Sequence, residues 1–264
     1  MANSYSKRKA ITHSIMVSLA VLAMAFLPFA LSSCRKKANA STSKYVASTS
    51  WVAAIADMAG IEDITIIAPP DLTHPPEYEI TASDIAKISA SEIFFHAGYE
   101  KMMETIKSSL ELPEERSVKV RTQNKISVLE DNIRNIIAIT KTEETAMRNL
   151  EEYKKMIEEG RGKIKAKKLD RLPALVNVNQ VPLAEDLGLN IAGTFGPGPL
   201  TSGQIEMIAR NKYPIIIDNI HSPVIKNIKD LTPGSHVIVW RNFPEKPEKG
   251  ALMKLVEENI SKML

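Results

Sequence analysis

The stretch YVASTSWVAAIADMAGIEDITII, residues 45–67, contains the pattern that decides the fold. Tyr45 to Ala47 has the apolar character of a short strand, and Ile64 to Ile67 that of a second one. Between them, Trp51 to Met58 carries apolar residues at helical spacing, and Gly60 is the residue type that ends a helix. Two strands separated by one helix are typical of a parallel sheet covered by helices. The stretch therefore predicts an α/β fold.

The same alternation continues through residue 120 and returns after Pro173. In the first region it predicts further helices at 81–88 and 99–110, and strands at 93–95 and 118–120. In the second region it predicts strands at 174–178, 215–217 and 237–239, helices at 183–187, 202–210, 223–228 and 251–263, and a rigid turn at 195–199. Each region thus resembles a separate Rossmann-like α/β lobe.

Residues 129–166 differ, because they contain no proline, and no glycine before Gly160. Apolar residues recur there at steps of three and four, with charged residues between them. This pattern predicts one amphipathic helix of about 30 residues. Half of a coiled coil is an alternative, but the apolar heptads are irregular. The sequence thus predicts two Rossmann-like α/β lobes joined by one long rigid helix, with a ligand cleft between the lobes.

The N-terminus has the layout of a secretory signal. Three basic residues at 7–9 precede an apolar run at about 15–31, which ends in Leu31-Ser32-Ser33-Cys34. These last residues resemble a bacterial lipobox, so Cys34 is predicted to be lipidated. An uncleaved transmembrane anchor, with the basic residues 35–37 as a stop signal, is the alternative. We predict a signal peptide at 1–34, a tether at 35–43, lobes at 44–128 and 169–264, and a linking helix at 129–168.

The formal net charge of +3 comes from this N-terminal segment. Six of the 34 basic residues lie in residues 1–37, which contain no acidic residue. The other residues therefore carry 28 basic and 31 acidic side chains, a net charge of −3. A folded part without excess positive charge argues against a nucleic-acid partner. Cys34 is the only cysteine, so no disulfide within the chain is predicted.

Four segments resemble the zinc and manganese group of metal-binding receptors of ABC transporters. PPEYE at 75–79 with TASDIAK at 81–87 resembles that family's DPHEYEPTPSDIAKL, and SEIFFHAG at 91–98 resembles its following strand. GPGP at 196–199 precedes a helix as in the family's second lobe, and DNIHSP at 218–223 resembles its E-P-Q-F-S-P turn. The resemblance covers about residues 44–264. It implies two α/β lobes, a long helix and a metal ion held between the lobes.

The family's metal ligands, three histidines and a carboxylate, are not at their positions in this chain. Pro76 stands where the first histidine is expected, and the sequence at 128–132, VLEDN, contains none. Asn179 stands near the position of the third histidine, and Trp240-Arg241-Asn242 follows the last strand in place of the carboxylate. The resemblance therefore does not supply a ligand set.

A different metal site is predicted from His74, His96, Asp218 and His221, which follow or end predicted strands. Ligands of open α/β sheets bind outside the carboxyl ends of the strands. Imidazoles with one carboxylate suit zinc, and they also suit nickel, cobalt or copper. The alternative for each histidine is an ordinary loop or cap residue, and for His236 we favour that alternative. No organic cofactor is expected.

A cleft for a small organic or metal-chelate ligand is a second hypothesis, because such pockets combine apolar walls with a few polar groups. Its predicted lining is Trp51, Tyr78, Asn179, Gln180 and Trp240. No nucleophile–base pair, P-loop or dinucleotide-binding fingerprint occurs, so we do not expect an enzyme. A surface-anchored adhesion protein or enzyme that reuses the fold is the remaining alternative.

These observations predict an extracytoplasmic solute-binding lipoprotein of an ABC-type importer. Its solute is expected to be a divalent transition metal ion, and its partners an ABC permease and the ATPase subunit. The chain is expected to be a monomer on the outer face of the cytoplasmic membrane.

Overall fold

Two four-stranded parallel sheets with the same strand order form the framework of the protein. The computed structural model describes residues 43–225 and 230–264. The predicted signal, the tether up to residue 42 and Cys34 lie outside the described residues, as does the second half of the helix predicted at 223–228. Within the described ranges, no helix is long and apolar enough to span a membrane.

The first lobe has the sheet order β2-β1-β3-β4. Its elements are β1 (Tyr45–Ala47), α1 (Ser50–Met58), β2 (Ile64–Ile66), α2 (Ala82–Ala90), β3 (Ile93–His96), α3 (Met102–Ser109) and β4 (Ser117–Lys119). Tyr45 pairs with Ile64 on one side and with Ile93 on the other, so β1 is central. Helices cover both faces of this sheet, because Phe95 packs with α1 while Phe94 packs with α2 and α3.

The second lobe repeats this plan with the order β6-β5-β7-β8. Its elements are β5 (Ala174–Asn177), α6 (Val181–Asp186), β6 (Ile191–Phe195), α7 (Ser202–Asn211), β7 (Ile215–Asn219), β8 (His236–Trp240) and α8 (Ala251–Met263). Strand β6 was not predicted, because Ala192 and Gly193 give its centre little strand character. The predicted class, two parallel α/β lobes, is confirmed.

The connection between the lobes differs from the prediction of one helix over residues 129–168. It consists of two helices, α4 (Ile126–Ile137) and α5 (Glu143–Ala166), which pack together as a hairpin. The Thr140 hydroxyl donates to the Ile136 carbonyl at 2.9 Å and contacts the Thr142 hydroxyl at 2.8 Å. Such local bonds compete with helix continuation. A long helix therefore does join the lobes, but it begins at Glu143.

Helix α5 spans about 36 Å, given its 24 residues and a rise of about 1.5 Å per residue. Two glycines let it approach each lobe closely. A Cβ on Gly60 would lie 3.1 Å from Thr142 and Thr145, and Gly60 also has a φ of +80°. A Cβ on Gly160 would lie 3.1 Å from Ile260 and Leu187 of the second lobe. A single core thus runs from α1 through α5 to α8.

Candidate functional site

A cavity of about 500 Å³ lies between the lobes, at the carboxyl ends of both sheets. The segment that follows each of the eight described strands contributes a residue that lines it. The first lobe contributes residues after β1 to β4, and the second lobe does the same after β5 to β8. In sequence order, from β1 to β8, these residues are Thr49, His74, Tyr99, Thr122, Asn179, Pro197, His221 and Asn242. This location agrees with the predicted cleft at the strand ends.

His221 is the best-positioned ligand donor in the cavity wall. Its ring stacks on the Phe243 ring, with 3.7 Å between centroids and an interplanar angle of 17°. Its Nε2 atom is buried, and no described residue gives it a hydrogen-bond partner. Burial lowers the pKa of His221 to about 4, and the nearby Arg241 guanidinium adds to this effect. At neutral pH the imidazole is therefore uncharged, and one of its ring nitrogens is unprotonated.

Asp218 does not line the cavity, although it was predicted as a metal ligand. Its Oδ2 accepts hydrogen bonds from the backbone N–H groups of Val224 and Ile225, both at 2.9 Å. Its Oδ1 accepts from the Asn219 N–H at 2.8 Å and from the Asn177 side chain at 3.4 Å. Both oxygens are thus engaged in holding the loop that carries His221. Asp218 positions the histidine and does not face the cleft.

His74 reaches the cavity from the first lobe. It precedes a short 3₁₀ helix, Pro75–Glu77, and its side chain is exposed at the cleft. The two prolines at 75 and 76 restrict the backbone after it. His74 is close enough to His221 for its charge to contribute to the lowered pKa of His221. The structure therefore brings two of the four predicted metal ligands to one cavity.

His96 is not at the cavity, because its side chain points into the first lobe. It follows Phe94 by two residues, so both side chains lie on the same face of β3, with ring centroids 5.5 Å apart. Its Nε2 is 2.9 Å from the Ser117 hydroxyl at the start of β4. Burial lowers the pKa of His96. Among the described residues, no group of three or more His, Cys, Asp or Glu side chains could hold a metal ion.

Of the predicted cleft residues, Trp51 and Asn179 line the cavity. Tyr78 instead donates its hydroxyl to Asp84 at 3.0 Å and packs on the core beside α2 and α3. Trp240 is fully buried in the main core, and Gln180 donates from below the cavity to Asn219 Oδ1 at 3.4 Å. None of these three residues lines the cavity.

Sequence reasoning missed several lining residues, among them Tyr99, Thr122, Asn219, Asn242 and Phe243. All of them end or follow a strand, which is the signal that could have found them. Asn242 resembles His221 in one respect, because its buried Oδ1 has no partner among the described residues. Two residues of the second lobe that line the cavity thus each have a buried polar atom without a partner among the described residues.

Asn124 ties the two lobes together beside the cavity. Its Oδ1 accepts from the Trp51 indole N–H at 3.1 Å, and its Nδ2 donates to the Asn242 carbonyl at 3.0 Å. Its own carbonyl accepts from the Tyr153 hydroxyl of α5 at 2.8 Å. Trp51 also lies against Phe243, with 5.9 Å between ring centroids. The first lobe, the connecting helix and the second lobe therefore meet at one buried amide.

Comparison with solved structures identifies the fold as that of metal-binding substrate-binding proteins. FpvC of Pseudomonas aeruginosa, solved with Mn²⁺, superposes with a TM-score of 0.62 at 15% identity, over 83% of this chain and 96% of that one. A Mn-bound periplasmic metal-binding protein of Candidatus Liberibacter asiaticus gives 0.55 at 16%, over 83% and 98%.

The laminin-binding protein Lbp of Streptococcus pyogenes also shares the fold, with a TM-score of 0.61 at 13% identity over 83% of this chain and 96% of that one. No protein-family description and no curated protein sequence matches the chain. These similar structures are named as binding proteins, and none of the three is named as an enzyme. At these identities the likeness shows the fold. That fold is the one implied by the family resemblance of the sequence.

Proposed function

We propose that this chain is the extracytoplasmic solute-binding protein of an ABC-type importer, and that it captures a divalent transition metal between its lobes. The observation that carries the proposal is the cavity at the ends of all eight strands, with His221 Nε2 buried and unpartnered among the described residues. Structures with this fold have been solved with Mn²⁺ and Ni²⁺, which supports a metal as the solute.

The donors in the cavity are two imidazoles, from His74 and His221. Imidazole suits Zn²⁺, Ni²⁺, Co²⁺ and Cu²⁺ better than it suits Mg²⁺ or Ca²⁺, which prefer oxygen ligands. One imidazole comes from each lobe, so binding would connect the lobes across the cleft. The second-lobe imidazole is held by stacking on Phe243 and by the loop that Asp218 fixes. The site is therefore partly formed before the solute arrives.

Metal titration of the purified full chain tests this proposal. We expect Ni²⁺ or Zn²⁺ to bind the wild type, and His221→Ala and His74→Ala each to weaken binding at least about tenfold. His236→Ala is the matched control, because His236 is exposed on β8 and does not line the cavity. If His221→Ala binds free metal and chelated metal as tightly as the wild type does, the proposal is wrong.

The location that we propose rests on the N-terminal sequence. A basic segment, an apolar run and the LSSC ending at Cys34 support export and lipidation, which would place the folded part on the outer face of the cytoplasmic membrane. The permease and its ATPase subunit are the proposed partners, and we propose a monomer. Labelling of cells with a radioactive fatty acid should mark the wild type and leave Cys34→Ser unlabelled. Equal labelling of both would contradict the lipobox.

A further inference from the structure

We infer that the cavity receives its metal as an electroneutral chelate, in which a small carboxylate chelator already occupies part of the coordination sphere. This inference rests on the proposed function, and it specifies the chemical class of the solute. It follows from three features of the cavity: its volume, the charge of its wall and the number of its donors.

The volume is that of a small-molecule pocket. The cavity measures about 500 Å³, within the range of roughly 300–1,000 Å³ that is typical for organic ligands. A metal ion held by protein side chains alone needs far less room, because its donors lie about 2.0–2.3 Å from the ion. The space between His74, Tyr99 and His221 is therefore sufficient for a metal together with the molecule that carries it.

The wall carries no formal charge that could neutralise a bare cation. Its described lining contains no Asp, Glu, Lys or Arg. The carboxylates behind it are engaged: Asp218 holds the 219–225 loop, and Glu100 accepts the N–H groups of Ala97 and Gly98 at 2.7 and 2.6 Å. Glu245 pairs with Arg241. Since an uncompensated charge is costly to bury, a doubly charged ion is a poor solute for this wall.

The donor count also favours a chelate. Two imidazoles cannot complete the four ligands that Zn²⁺ takes at closed protein sites. A tridentate chelator with two carboxylates would supply the missing donors and cancel the charge of the metal. The wall offers the groups that such a chelator needs. Hydroxyls and amides such as those of Thr73, Thr122, Ser222 and Asn179 can bind its carboxylates, and the rings of Trp51 and Tyr99 can pack against its carbon chain.

Calorimetric titration of the full chain with nickel in defined forms tests the inference. Nickel–iminodiacetate is neutral and has open coordination positions, aqueous Ni²⁺ is charged, and nickel–EDTA has no position left for a histidine. We expect nickel–iminodiacetate to bind at least tenfold more tightly than Ni²⁺, and nickel–EDTA not to bind. His221→Ala and His74→Ala should each reduce the affinity for nickel–iminodiacetate at least tenfold, while His236→Ala should leave it unchanged.

The outcomes separate this inference from the proposed function. If Ni²⁺ binds as tightly as nickel–iminodiacetate, or more tightly, and the binding depends on His221, the chelate inference fails while a metal receptor remains. If nickel–EDTA binds as well as nickel–iminodiacetate, coordination by the histidines is refuted. If no form binds in a manner that depends on His74 or His221, both proposals fail. Because His74 is exposed, His74→Ala tests coordination even if His221→Ala disturbs its loop.

Discussion

The two lobes share one plan, yet they present their histidines in opposite ways. Both sheets have the same strand order, and in both the loop after the third strand in sequence is held by a buried carboxylate, Glu100 in one lobe and Asp218 in the other. Both also begin the helix after their second strand with a capping box, at Thr81 and at Thr201. The common plan explains how eight strand ends come to surround one cavity.

The difference lies in how firmly each imidazole is held. His221 is buried, stacked on Phe243 and carried by a loop whose backbone donates three hydrogen bonds to Asp218. His74 is exposed and lies in a loop that contains four prolines between residues 69 and 76. The comparison indicates that the second lobe supplies a fixed donor and the first lobe a donor at the entrance.

Removal of the loop-holding carboxylates should have the largest effect, and it should be similar in both lobes. Asp218→Ala and Glu100→Ala each leave buried backbone N–H groups without a partner, so we expect a loss of about 3–5 kcal/mol of unfolding free energy. Urea unfolding followed by circular dichroism measures this loss. Glu104→Ala, an exposed substitution on α3, is the control. A loss below about 1 kcal/mol for either variant would break the proposed equivalence of the lobes.

Acid should destabilise the protein through His221. The pKa of His221 is lowered from 6.5 to about 4 in the folded state, first because of burial. The unfolded chain therefore takes up a proton as the pH falls through 6.5, whereas the folded protein does so only near 4. Stability is lost over that interval, by roughly 2–3 kcal/mol after allowance for solvent screening.

The unfolding free energy at pH 7.5 and pH 4.5 measures this dependence. His221→Gln should lose less stability than the wild type between the two pH values. His96, whose pKa burial also lowers, accounts for part of the loss that remains in every variant. Identical pH dependence in wild type and His221→Gln would show that the imidazole is not held as described.

The buried amide of Asn124 should matter less than either carboxylate, because it is uncharged. Asn124→Ala removes its bonds to Trp51 and to the Asn242 carbonyl, so we expect a loss of about 2 kcal/mol. Chelate binding should also weaken, since Trp51 lines the cavity. Gln123→Ala, an exposed neighbour, should change neither property. If Asn124→Ala has the same stability and chelate affinity as this control, the lobes are not joined through Asn124.

The exposed ion pair between the lobes should have the smallest effect. Lys249 contacts Glu62 at 2.6 Å, but both side chains are mostly exposed. Such pairs contribute little, because water and salt screen them. Lys249→Ala should leave the urea midpoint unchanged within error. A clear shift would mean that surface charges contribute to holding the lobes.

The alternation of strands and helices made the α/β lobes predictable, because each short apolar run was bounded by a residue that ends an element. The hairpin of α4 and α5 could not be predicted, since the segment from Ala138 to Thr142 contains neither glycine nor proline. The turn there depends on bonds made by Thr140 and on packing against Gly60, which no periodicity reveals.

The location of the site could be predicted from the sequence, but only some of the side chains that line it could be. His74, His221, Trp51 and Asn179 line the cavity, and they were predicted because they lie near strand ends. His96 was misplaced because a single residue decides which face of a strand a side chain occupies. Asp218 was misplaced because its partners are backbone N–H groups six and seven residues later in the chain. Such contacts appear only once the loop has its three-dimensional path.

The most direct test of the account is the position of the metal in crystals grown with nickel–iminodiacetate. Anomalous diffraction at the nickel edge should show one strong peak in the interlobe cavity, about 2.1 Å from a ring nitrogen of His221. Density for the chelator should lie beside that peak, against Trp51 and Tyr99. A nickel peak only at His236 or elsewhere on the surface, with none between the lobes, would contradict the account.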